Sequence, residues 1–153
     1  MAVVEGKSNL IHDYLDSTSE PPSPAAQQGE YRALTGTVAN ASSDSSGSMY
    51  HLADVPSDAI VHEDTFFDVE NWGFAQIVIG TREDTDALVD QTLATENTVT
   101  PFAVGDANHG KTWWEALGMS EDPGGEIGIY IHAEAGATGA GSMPFRIVSL
   151  DSR

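Results

Sequence analysis

Apolar and polar residues alternate most cleanly in "IGIYIHA", residues 127–133, where Ile127, Ile129, Ile131 and Ala133 fall on one side and Gly128, Tyr130 and His132 on the other. Strand side chains point alternately to two faces, so this stretch predicts a half-buried strand. "MPFRIVSL" (143–150) repeats the pattern, with Met143, Phe145 and Ile147 inward and Pro144 and Arg146 outward. Between them "EAGATGAGS" (134–142) supplies Gly136, Gly139 and Gly141, a short connection that predicts a hairpin pairing the two strands. Pro144 has no N–H to donate, which places the last strand at or near a sheet edge. Further β-type runs occupy 31–39, 49–56, 58–67 and 73–81, and the last is apolar on both faces, as in a strand covered on both sides. A loop of Ser, Asp and Gly fills 40–48.

Helical signals are sparse. In "KTWWEALGM", Thr112 and Glu115 have capping-box spacing and Gly118 stands where a glycine ends a helix. Residues 83–94 could form a second short helix with Leu88 and Leu93 inward, although Thr and Asp weaken it. About seven short strands with one or two short helices predict an all-β fold, an antiparallel β-sandwich of the jelly-roll or Greek-key kind.

Residues 1–28 have a different texture and read as an extended N-terminal arm, leaving 29–153 as the sandwich domain. Pro21, Pro22 and Pro24 favour a polyproline-like path and argue against helix there. Leu10, Ile11, Tyr14 and Leu15 are apolar side chains that a purely solvated tail would not need. These seven arm residues, with the outward Arg146, are the candidate assembly contacts.

Composition narrows the function more than the fold. The 153 residues carry 24 Asp plus Glu against six Lys plus Arg, a formal net charge of -18 spread along the chain. Nucleic acids and anionic membranes are bound through clustered cations, so neither is an expected partner. Cysteine is absent, which removes thiolate chemistry, disulfides and Cys-based metal sites together. No apolar run approaches the roughly 20 residues of a membrane-spanning helix. The first ten residues lack the apolar core of a signal peptide, so synthesis in a cytoplasm is expected.

Candidate chemistry is thin. His12, His51, His62, His109 and His132 show neither His-x-His nor HExxH spacing, and in His62-Glu63-Asp64 only His62 and Asp64 could converge. The loop serines lack a G-x-S-x-G elbow. "GDANHGKT" (105–112) matches the P-loop pattern letter for letter, but a P-loop follows a parallel strand and opens a long helix, and Gly118 stops this helix early. Neither catalysis nor a cofactor is expected. Trp72, Trp113 and Trp114 could build a sugar-stacking platform, the alternative function being a glycan-binding sandwich; the competing reading has them plug the sandwich.

Over 111–150, "KTWWEALGMSEDPGGEIGIYIHAEAGATGAGSMPFRIVSL", the chain resembles the capsid decoration (cement) proteins of tailed bacteriophages. The likeness lies in an aromatic "WEALG" turn, a "DPG" loop, an alternating strand, an Ala/Gly-rich connection and a closing strand, and "RALTGTVANASSDSSGSMYHLADVPSDAIV" (32–61) extends it. The resemblance implies a jelly-roll-like sandwich, often trimeric. Such a protein sits on the outer capsid surface, binds the major capsid protein and stabilises the shell of the virion. It implies no catalytic residues.

Overall fold

A computed structural model of the protein describes residues 3–8, 10–11, 20–22 and 24–151. Its elements in chain order are a helical turn α1 (Pro24–Gln28), then strands β1 (Glu30–Asn40), β2 (Met49–Pro56), β3 (Ile60–Val61), β4 (Phe66–Asp68), β5 (Gln76–Gly80) and β6 (Val89–Thr92). A 3₁₀ turn (Leu93–Thr95), β7 (Thr98–Val99), α2 (Trp113–Ala116), β8 (Glu126–His132) and β9 (Gly141–Asp151) complete it. The strands form two antiparallel sheets, β1-β9-β4-β7 with β3 also on β9, and β2-β8-β5-β6. The expected all-β sandwich is therefore present, and its strand order is that of a jelly roll, in which the chain repeatedly crosses between sheets.

The core lies between the sheets. Ile77, Ile79, Ile127, Ile129 and Ile131 of one face Phe67, Val99, Met143, Phe145 and Ile147 of the other. The alternation in 127–133 and 143–150 thus buries the predicted sets, and Pro144 and Arg146 are exposed.

The pairing of those two stretches is different from the expected hairpin. β8 pairs with β2 and β5, whereas β9 lies in the opposite sheet against β1, β4 and β3. Both strands direct their apolar set at one core, and the glycine-rich connection carries the chain across from one sheet to the other. Asn40, buried at the end of β1, holds that crossing. Its side chain donates to Gly139 O at 2.9 Å and accepts from Gly73 N at 3.1 Å. Gly141 is required there, because a Cβ would strike the Asn71 carbonyl oxygen and the Gly73 nitrogen.

The edge position expected for the last strand is also corrected: β9 is interior. The β4–β9 ladder stops at Phe67↔Phe145, one residue short of Pro144, while β1 continues past it through Thr37↔Pro144. Beyond β4, the buried Thr65 hydroxyl replaces a strand, donating to Val148 O at 3.2 Å and accepting from Val148 N at 3.0 Å. The 58–67 run is accordingly two strands around a turn rather than one.

Residues 83–94 do not make a helix. Val89–Thr92 pair with β5 instead, and the preceding loop folds over the outer face of β5, where Asp84 O and Ala87 N occupy the space a Gly80 side chain would need. That cover explains why β5 is apolar on both faces. The helix at 112–118 is present: Thr112 and Glu115 form the capping box and Gly118 adopts φ +76. Within the arm, Pro24 opens α1 where an extended path was expected. Proline is acceptable at the first helical position, since that residue's N–H would have no intrahelical acceptor. Ala25 is buried, and α1 packs on β9.

Candidate functional site

Of the sequence-predicted assembly residues, Leu10 and Arg146 are placed on the outer face of the β1-β9-β4 sheet. Inward residues of β9 alternate with Pro144, Arg146, Val148 and Leu150, which look outward from the β1-β9-β4 sheet. At the end of that outer face a groove of about 320 Å³ is lined by Leu10, Ala26, Ile60, His62, His109 and Leu150. Leu10 and Ile11 are exposed, and their turn is held by Ile11 N donating to Ser8 O at 3.2 Å. Pro21 and Pro24 are exposed and Pro22 is half-buried. Tyr14 and Leu15 lie outside the described residues.

Arg146 stands further back along β9 and does not line the groove. Its Nε donates to Thr35 Oγ1 at 3.1 Å, and its guanidinium lies 5.7 Å from the centre of the Phe66 ring. Tyr31, which no sequence motif marks, bridges the same outer face: its hydroxyl donates to Asp64 at 2.7 Å and its ring meets His62 edge-on at 5.0 Å. The Asp64 hydrogen bond holds the Tyr31 phenol above its ordinary pKa. The available signal was charge, because no Asp or Glu occurs from Tyr31 to Ser43.

The other candidate groups engage partners within the fold. His62 Nδ1 accepts the Asp64 amide at 3.0 Å, so that lone pair is already used. Among the described residues no group of three or more His and carboxylate side chains is arranged to hold a metal. The loop at 105–112 follows a two-residue antiparallel strand, and its amides bond within the loop, Asn108 N to Asp106 Oδ1 at 2.8 Å and Lys111 N to Asn108 O at 3.1 Å. A P-loop instead presents free amides to phosphate. On the outer face of β2 and β8, a concavity of about 330 Å³ is lined by Asp54, Arg82, Glu83, Glu126 and Tyr130. Beside it His51 bonds Asp54 at 2.7 Å and stacks on Tyr130 at 4.4 Å, with no serine or threonine hydroxyl bonded to its ring among the described residues.

The tryptophans do not form an exposed platform. Trp72 and Trp113 are buried, and Trp114 is half-buried against the core. A glycan site built on them would lack the open ring faces that stacking needs.

Tyr50 is the most perturbed acid resolved. Partial burial first, and then its hydrogen bond to Asp44, push its phenol up to about 12 from an ordinary 10.0. The same bond, with a further one from Ala41 N, holds Asp44 below its ordinary value. The folded state thus favours protonated Tyr50. Its contribution to stability is complete below about pH 10 and is lost as pH rises toward 12. In a spectrophotometric titration of the four tyrosines, the highest-pH step is expected to disappear in Tyr50→Phe. An unchanged last step would assign it to another tyrosine.

Comparison with protein-family models, with curated proteins and with solved structures finds no match.

Proposed function

We propose that this chain is a structural virion protein, a decoration or cement protein that binds the outer surface of a tailed-phage capsid and stabilises the shell. In this reading it contacts the major capsid protein and acts as a homotrimer. The observation that carries the proposal is the segment ahead of the sandwich, on which Val3, Val4, Leu10 and Ile11 are exposed. Apolar side chains on such a segment gain burial only against a partner or on ordering. The resemblance over 32–61 and 111–150 supplies the identity of that partner. A jelly roll agrees with it without deciding it, since the fold serves viral capsid and lectin domains alike.

The test is to mix the purified protein with undecorated shells, sediment them and image the product. Regular density on the outer surface and increased resistance of the shells to heat are expected. A variant lacking residues 1–22, which retains α1 and its buried Ala25, is expected to keep one cooperative melting transition while losing most of its attachment. Shells that stay bare with the full chain would sink the proposal. A truncated chain that no longer melts cooperatively would make the arm part of the core.

A further inference from the structure

The two sheets have four outer edges, and they are protected unequally. β7 closes one sheet with two residues and β6 closes the other with four, lengths too short to template another strand. β2 is longer, but its register shifts between His51 and Ala53 and it ends on Pro56. β1 has none of these devices. It runs 11 residues in unbroken register from Glu30↔Asp151 to Asn40↔Gly141, without proline, lysine or bulge.

Pro144 fixes which backbone groups of β1 are directed outward. It lies opposite Thr37 and has no N–H, so that pair belongs to the kind whose residues do not bond each other. The two kinds alternate along an antiparallel ladder. The even-numbered residues therefore bond to β9, while Tyr31, Ala33, Thr35, Thr37 and Ala39 direct their N–H and C=O groups to the edge. Among the described residues no hydrogen bond reaches these backbone groups from that side.

Charge is sparse along the same edge. Acids are absent from Tyr31 to Ser43 and from Ala135 to Leu150, and these two stretches hold most of β1 and β9. In a chain of net charge -18, β1 itself holds one acid, Glu30, and one cation, Arg32, while Asp54, Glu126 and Asp151 line a pocket with Arg32 and Leu34 at one end of the edge.

We infer that β1 pairs antiparallel with β1 of a second copy about a two-fold axis at Thr35. With that centre, Thr35 meets Thr35, Ala33 meets Thr37 and Tyr31 meets Ala39, so every edge-directed N–H faces a carbonyl. Glu30 falls opposite Asn40 and Arg32 opposite Val38, and no like charges are juxtaposed. Leu34, on the core side yet 42% exposed, comes opposite Gly36, whose missing side chain leaves room for the ring of Phe145. The inference goes beyond the capsid reading and does not rest on it. A two-fold contact of this kind would join copies from neighbouring trimers, and it is measurable in the free protein.

Sedimentation of the purified full chain over a range of concentrations is the experiment. A two-fold species is expected, strengthened by raising salt from 50 to 500 mM because the repelling charges are screened. Ala33→Pro removes an edge-directed N–H without touching the β1–β9 ladder, so it should keep the melting temperature and weaken association at least about 30-fold through bonds lost on both copies. Thr35→Cys should form a covalent dimer under mild oxidation, since the chain has no other cysteine and directly opposed residues stand within disulfide reach. Strict monomers at all concentrations, a species that ignores Ala33→Pro, or failure of Thr35→Cys to cross-link would each overturn the inference.

Discussion

Trp113→Ala is expected to remove about 3–5 kcal/mol of folding stability. A domain's whole margin is about 5–15 kcal/mol, so the variant would be near the limit of folding. Trp113 has no exposed surface, its indole N–H donates to Ser149 Oγ at 2.7 Å, and its ring meets Phe102 edge-on at 5.2 Å. Truncation therefore opens a cavity and leaves the buried Ser149 hydroxyl without its donor. The half-buried neighbour sets the comparison: Trp114→Ala should cost clearly less, about 1–2 kcal/mol. Urea denaturation followed by circular dichroism measures both. Equal losses would mean that α2 does not insert Trp113 into the core.

The second large effect lies in β9. Phe145→Ala should cost about 3–5 kcal/mol, because the ring is buried, stacks on Phe67 at 6.4 Å and fills the space beside Gly36. Arg146→Ala, one residue on, removes only an exposed cation–π contact and a hydrogen bond to Thr35, about 0.5–1 kcal/mol. Thermal or urea melts should rank the two accordingly. The reverse ranking would require a one-residue register shift, which turns every side chain of the strand to the opposite face.

Local periodicity carried the sequence reading where a strand has one buried face. Ile127, Ile129 and Ile131, or Met143, Phe145 and Ile147, announce their inward side without reference to the rest of the chain. Partnership was not legible in the same way. Two alternating strands joined by glycines suit a hairpin and a sheet-to-sheet crossing equally well, and the Asn40 clamp that accompanies the crossing joins residues far apart in sequence. The 83–94 segment failed for a related reason. Weak helix propensity in Leu88 to Leu93 yielded to pairing with β5, a tertiary contact that intrinsic preference does not encode. Pro24 is ambiguous in sequence because a proline that breaks a helix from within opens one from its first position. Among the candidate site residues, Leu10, Ile11 and Arg146 were visible as apolar or cationic exceptions to their surroundings, whereas Tyr31 and the β1 edge were marked only by missing acids.

The register of β1 against β9 also bears on how the chain is made. Glu30 pairs with Asp151, so the first strand of the sandwich waits for the last before its ladder can form. Closing a loop of that size is entropically costly, and folds dominated by such pairings reach the native state in about milliseconds to seconds rather than microseconds. During translation, at about 5–20 residues per second, β1 leaves the ribosome several seconds before β9 does. A β1 with few acids and no bulge is then without its partner for longer than any other strand of its sheet. Overexpression at low temperature, or with a holdase present, is the condition under which this chain should give its best yield of folded protein.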